Sequence, residues 1–236
     1  MQPVKNFQQL HKVLSRYKNP DKTYFFRGHS NTTWDLIPKA GRYPYSQVND
    51  LQVLDTWKRM AIQYVNLIPS NDWDWLTIAQ HHGLATRLLD WTTNPLVAAY
   101  FAVEKPENDS DSRIYCLYTK RRLTVETQQE KSPWEYGEPF SIFRPKGIIP
   151  RIVQQSAAFT AQNDPRTPLT ELAEEDSDVL ESVIIDSSYR EQLMFDLNHF
   201  AINSSTLFPD LDGLSQYINW RIEHNEGQTF GQGWSS

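Results

Sequence analysis

The sequence has a single cysteine, Cys116, inside the apolar run IYCLY, which excludes a disulfide framework and a cysteine-rich zinc site. It has no run of about 18 apolar residues, so no membrane-spanning helix is expected. The start, MQPVKNFQQL, lacks the apolar region of a secretion signal, and a cytoplasmic location is the expectation. Positive charge is scarce: 23 Lys and Arg stand against 29 Asp and Glu, and a net charge of −6 gives no general pull toward nucleic acid. No G-x-G-x-x-G, Walker-type loop or G-x-S-x-G elbow occurs. His81 and His82 are adjacent and point apart on a helix, unlike an i, i+4 pair, so no metal is expected. No long Pro/Gly/Ser linker divides the chain. One domain over 1–225 is expected, followed by a flexible Gly/Ser-rich tail at 226–236.

What is present suffices for a packed core: 39% of residues are hydrophobic and 13% aromatic, which argues against disorder. The organising stretch is Ile78 to Glu104, IAQHHGLATRLLDWTTNPLVAAYFAVE. Gly83 has the place of a left-handed residue that stops a helix. Arg87 to Asp90 has strand length, and Asn94-Pro95 is a helix start with Asn as cap and Pro at the first position. The following LVAAYFAV is apolar on nearly every side, so a buried helix is expected.

Spacing predicts helices over 5–18, from Leu51 to Ile68 with Asp50 as cap, from Asp72 to His82, from Tyr189 to Phe200 and from Asp212 to Asn225. Strands are predicted at Thr23–Arg27, Arg113–Thr119, Leu123–Thr127, Ile148-Ile149, Ile152-Val153 and Val179–Asp186. Residues 130–145 and the acidic stretch 162–178 read as loops. The sum is an α+β domain whose sheet, split or strongly bent and largely antiparallel, is flanked by helices.

Four polar groups stand at element edges, where sites in mixed sheets tend to lie: Arg27 with Gly28, His81 with His82, Asp90 with Thr92 and Thr93, and Arg151 with Gln155. Gly28 would let a ligand approach the backbone closely. Each group also has a plain structural explanation. Arg87 could clamp Asp90, and one of the histidines could be a satisfied core residue.

Together the pieces resemble a known family. YFFRGHSNTTWDLIPKAGR (24–42) and AQHHGLATRLLDWTTNPLVAAYFA (79–102) look like the defining segments of the FRG domain, named for Phe-Arg-Gly, here Phe26-Arg27-Gly28. PRIVQQSAAFT (150–160) resembles that family's Arg…Gln…Phe block, with Arg151, Gln155 and Phe159 in the matching places. The resemblance spans roughly residues 5 to 222, with Ala157 where the family usually has Gly.

A weaker resemblance is to ADP-ribosyltransferases, which begin with an aromatic-Arg-Gly strand and follow with a Ser-Thr-Ser strand and a V-A-x-x-F-A helix. Asp90-Trp91-Thr92 before Val97-Ala98-Ala99-Tyr100-Phe101-Ala102 has that order, but Gln154 and Gln155 stand where a catalytic Glu is usual. This implies an ADP-ribosyltransferase-like fold and NAD as substrate. Arg27 and Gly28, with Arg151, would hold the diphosphate. Thr92, Asp90 and Gln155 would fix the nicotinamide ribose, and His81, His82 or Asp90 would act as base. It further implies an intracellular toxin or phage-defence effector, with a protein or RNA acceptor, an antitoxin partner and no membrane association. The rivals are an NAD glycohydrolase or nuclease using the same cleft, and a nucleotide-sensing module without turnover.

Overall fold

Asparagine opens each of the first four α-helices. Asn6, Asn49, Asn71 and Asn94 turn extended backbone into α1 (Phe7–Leu14), α2 (Asp50–Ala61), α3 (Asp72–His81) and α4 (Pro95–Val103), each side chain accepting from backbone N–H groups of the first turn. The computed structural model describes residues 2–105, 110–146, 150–173 and 178–224. The strand expected at Ile148-Ile149 and the tail expected at 226–236 lie outside them.

Six strands, β1 (Phe25–His29), β2 (Leu88–Thr92), β3 (Ser112–Tyr118), β4 (Phe140–Phe143), β5 (Ala157–Gln162) and β6 (Val179–Ile185), form one open antiparallel sheet in the order β4-β5-β2-β1-β3-β6. This is the mixed α+β architecture expected. Alternation sorts each strand between two faces. Phe26, Ile114, Cys116 and Val183 join a core with α1, α4 and α8 (Arg190–His199), while Phe25, Tyr115, Leu117 and Trp91 pack on the other face with Leu36 and Leu169. A third core joins α2 and α3 to Leu88, Phe143 and Phe159 at the β2-β5-β4 end.

Several expectations need correction. Helix α2 ends at Ala61 rather than Ile68, and its cap is Asn49, not Asp50. Beyond Ala61 only Val65 of the apolar spacing still meets the core, while Tyr64, Leu67 and Ile68 stand exposed. The strand expected at Leu123–Thr127 is helix α5 (Val125–Glu130), because Thr124 caps the N–H of Thr127. The presumed loop 130–145 contains β4, a four-residue buried strand too short to show alternation. Ile152-Val153 lie in a short helix, α6 (Pro150–Gln154), not a strand. The acidic stretch 162–178 is not all loop: β5 runs to Gln162, and α7 (Leu169–Leu172) buries Leu169 completely.

The presumed Arg87–Asp90 clamp is absent because residues three apart on a strand face opposite sides. Arg87 instead meets Asp50 through two hydrogen bonds of 2.8 Å. Among the described residues, no helix is long and apolar enough to cross a membrane.

Candidate functional site

Strands β1 and β2 share one register pair, Phe26 with Thr92, whereas β1 and β3 stay in register from Phe25–Leu117 to His29–Arg113. Beyond Phe26 the two strands part. A cleft of about 350 Å³ opens there, between the α4 side of the sheet and the α3 side. That volume lies at the small end of ligand sites, which run to roughly 300–1,000 Å³. Helix α3 ends in it at Gln80 and His81, α4 contributes Ala98 and Phe101, α6 contributes Arg151, the turn after it Gln155, and the start of β5 Ala157.

Of the residues singled out from the sequence, Arg27, Gly28, His81, Asp90, Thr92, Arg151 and Gln155 line this cleft. His82 does not: it is exposed at the end of α3, its ring 4.9 Å from that of His81. Phe26, Trp91, Phe101 and Phe159 supply aromatic wall.

Gly28 is required for a different reason from the one expected. A Cβ there would stand 2.1 Å from Ala98 O and 2.5 Å from Ala102 N, so the backbone of α4 occupies the space. The glycine seats a helix against the strand.

Arg27 is held from two sides. Its Nε donates to His29 Nε2 at 3.1 Å, and its Nη1 donates to Asp90 O at 2.7 Å and meets Asp90 Oδ2 at 3.4 Å. These bonds leave Nη2 unused among the described residues. Burial lowers the Arg27 pKa, Asp90 opposes this, and the guanidinium remains charged. His29 is 4% exposed and packs edge-on against Tyr115 and Trp34. Burial, then the charges of Arg27 and Arg42, push its pKa down to about 3, so it is a neutral acceptor at ordinary pH. Asp90, whose side chain is 58% exposed, also accepts from Gln80 Nε2 at 3.0 Å.

The opposite wall is freer. Arg151 stacks on the Phe208 ring at 4.1 Å, and no hydrogen bond or ion pair engages its guanidinium among the described residues. Burial lowers its pKa, while Asp90, Glu104 and Asp210 oppose this. The Thr92 hydroxyl donates to Gln155 O at 2.7 Å and accepts from Asn94 N–H at 3.0 Å, pinning the turn to the strand end. Gln155 lies in that turn, not on a strand. Its Nε2 donates to Leu207 O at 3.1 Å, which leaves its amide oxygen for a ligand. The turn runs through Ser156 at φ +48, so the left-handed residue precedes Ala157. Burial, then His82 and Arg151, lower the His81 pKa, while Asp210 opposes this, so the ring favours its neutral form.

His29, Gln80 and Phe208 were not singled out from the sequence. For His29 a signal exists, since strand alternation puts residues 27 and 29 on one face. Gln80 and Phe208 act only through contacts that the fold creates. Among the described residues the lining thus offers two cations, one carboxylate, one neutral imidazole and several aromatic side chains. Among the described residues, no group of three or more His, Cys, Asp or Glu gathers as a metal site.

Comparison with family models finds the FRG domain at residues 22–111, the stretch that carries Arg27, Gly28, His81, Asp90 and Thr92. Comparison with curated proteins and with solved structures finds no match. The family seen in the two sequence segments is therefore supported across β1, β2 and α4, while Arg151 and Gln155 lie beyond the matched residues.

Proposed function

We propose that the cleft binds a dinucleotide and that the chain is an NAD-dependent ADP-ribosyltransferase, with NAD as its substrate. The observation that carries this reading is the convergence of Arg27, His81, Asp90, Arg151 and Gln155, from five separate elements or turns, on one aromatic-walled cleft. A diphosphate needs cations with free N–H groups, and Arg151 and the Nη2 of Arg27 provide them. Planar bases need aromatic surface, and among the cleft's aromatic residues the part-buried Phe101 has surface left to offer.

Cleaving the nicotinamide–ribose bond passes through an oxocarbenium-like state, as glycoside hydrolysis does. In this cleft Asp90 is the carboxylate placed to face such a charge. Arg27 and Gln80 hold that carboxylate in one orientation. Gln155 offers its amide oxygen to a ribose hydroxyl, and the neutral His81 accepts a proton from the acceptor. Thr92 acts one step back, fixing the Gln155 turn. The acceptor is a protein or a nucleic acid. A role as an intracellular toxin or phage-defence effector, in the cytoplasm and held in check by an antitoxin, belongs to this proposal.

A second reading, a nucleotide-binding module without turnover, is favoured by one observation. Among the described residues no glutamate lines the cleft, and the one carboxylate that does, Asp90, is already engaged by Arg27 and Gln80. Incubation with NAD labelled in both halves separates the readings. Nicotinamide release with transfer of label to a lysate acceptor, abolished by Asp90→Asn, is the result expected. Release without transfer identifies a glycohydrolase, Arg27- and Arg151-dependent binding of intact NAD identifies the sensor, and no binding at all ends the NAD assignment.

A further inference from the structure

Beside the cleft runs a loop that leaves two aromatic side chains exposed to solvent. Tyr43 is 79% exposed and Tyr45 is 40% exposed, and both follow the cations Lys39 and Arg42 in the chain. The loop is not loose. Ala40 N–H donates to Thr86 O, Ser46 N–H to Arg42 O, Gln47 N–H to Pro44 O and Val48 N–H to Tyr45 O. Gly41 presses so closely on the Pro165 backbone that a Cβ would lie 1.8 Å from its carbonyl oxygen. Lys39 Nζ donates to Gly83 O at 2.9 Å, tying the loop to the turn after His81, and lies over the Tyr45 ring at 5.3 Å. Arg42, whose Nε donates to Ile37 O, has its pKa lowered by burial and by Arg27 and raised by Asp90, which places it beside the Arg27–Asp90 pair.

A rigid loop that spends its hydrogen bonds on holding two tyrosines outward has built a stacking surface. We infer that residues 39–45 receive a single-stranded nucleic acid, whose bases stack on Tyr43 and Tyr45 while Lys39 and Arg42 face its phosphates, leading one nucleotide to the cleft. Every base has a π-face, and stacking on aromatic side chains next to cations is the general physics of single-strand binding. Local charge favours this over an acidic surface: from Arg27 to Tyr45 the cations are Arg27, Lys39 and Arg42, against Asp35 alone. The rest of the chain has 20 Lys and Arg against 28 Asp and Glu, so binding is favoured at this surface over the molecule at large. A duplex, whose bases are already stacked, gains nothing from the tyrosines. This inference names the acceptor class for the transferase proposed above and rests on that reading for its catalytic meaning alone.

The test is fluorescence anisotropy without NAD, using labelled A-rich and U-rich single-stranded RNA and the duplex formed from them. Single strands are expected to bind at low salt, weaken as salt rises, and outcompete the duplex. Tyr43→Ala with Tyr45→Ala should weaken binding by roughly tenfold or more with unchanged melting, since each stacked base contributes a substantial factor. Lys39→Glu with Arg42→Glu should reduce the salt dependence. The inference is overturned if wild-type protein binds no RNA, binds duplex equally well, or binds unchanged in the double tyrosine variant. It is also overturned if label from NAD passes to a protein acceptor undiminished by that variant. RNA binding without nicotinamide release would remove the transferase and keep the surface, and nicotinamide release without RNA binding would do the reverse.

Discussion

Two arginines at the two edges of the β1–β2 region show how a structural cation differs from one that lines a site. Arg87, just before β2, donates to both carboxylate oxygens of Asp50 and, through Nη1, to the carbonyls of Pro133, Gln162 and Asn163, with the Trp134 ring 4.8 Å from its carbon. Its side chain is 4% exposed. Arg27, on β1, has a loose pair with the carboxylate of a mostly exposed Asp90, one bond to the Asp90 carbonyl, one to His29 and, among the described residues, an unused Nη2. Engagement of every guanidinium nitrogen makes Arg87 a knot joining α2, β2 and β5. Incomplete saturation at the mouth of a cleft leaves Arg27 with something still to bind. Arg151 goes further, with a ring beneath it and no protein acceptor among the described residues.

The largest effect should come from cutting the knot. Asp50→Ala leaves the Arg87 charge buried without its acid, which costs on the order of 3–5 kcal/mol. Thermal melting should fall by about 10 °C in a domain of this size. A shift of a degree or less would mean that the three carbonyls suffice and that Arg87 is no more structural than Arg27.

Helix α4 separates core from cleft within two adjacent residues. Tyr100 is 4% exposed in the core, while Phe101 is only partly buried and lines the cleft. The sequence predicted both to be buried. Tyr100→Ala should cost roughly 3–5 kcal/mol. Phe101→Ala should cost clearly less and impair nucleotide binding more. Equal melting of the two variants would erase the boundary drawn here between core and site.

His29 gives a pH signature on the Arg27 side. Unfolded, its imidazole takes a proton near the ordinary 6.5, but folded it does so only at about 3. Between those values the unfolded chain binds the extra proton, so acid favours unfolding. The stabilisation is complete above pH 6.5 and is lost as pH falls toward 3. Melting followed from pH 7 to pH 4 should fall less steeply in His29→Gln than in wild type. Parallel curves would show that His29 protonates freely and does not hold Arg27.

Much of this contrast could be read in the sequence. Asn94-Pro95, Gly83 and the apolar run after them carry local backbone chemistry, and they place β2 and α4 correctly. Arg27, Asp90, Arg151 and Gln155 could be picked out because polar groups at element edges inside family-like segments are conspicuous. What the sequence could not supply is who holds whom. The Asp50 that captures Arg87 lies 37 residues away, and it looked like a helix cap. Gly28 looked like room for a ligand, since sequence does not show that α4 crosses it. The β4 strand and the α6 helix are too short to carry a period, so long-range pairing alone decides them.

The smallest change in stability should come from the freest cation, and it decides whether the comparison holds. Arg27→Lys keeps the charge but loses the fork that spans His29 and Asp90, so about 1 kcal/mol of stability should go with it. Arg151→Gln removes no protein hydrogen bond among the described residues, and melting should stay within about 0.5 kcal/mol of wild type. Nucleotide binding should respond in the opposite order of severity. Among the described residues no protein acceptor takes the Arg151 N–H groups, which leaves them for phosphate oxygens, and losing charge-assisted bonds worth about 1.5–3 kcal/mol weakens affinity roughly tenfold or more. Arg27→Lys retains one donor and a positive charge at the cleft wall, so its loss should be smaller. Calorimetry and nucleotide titration on the same two proteins give all four numbers. If Arg151→Gln melts early while binding persists, Arg151 serves the Phe208 contact. The cleft would then lose the cation that most distinguishes it from the Arg87 knot.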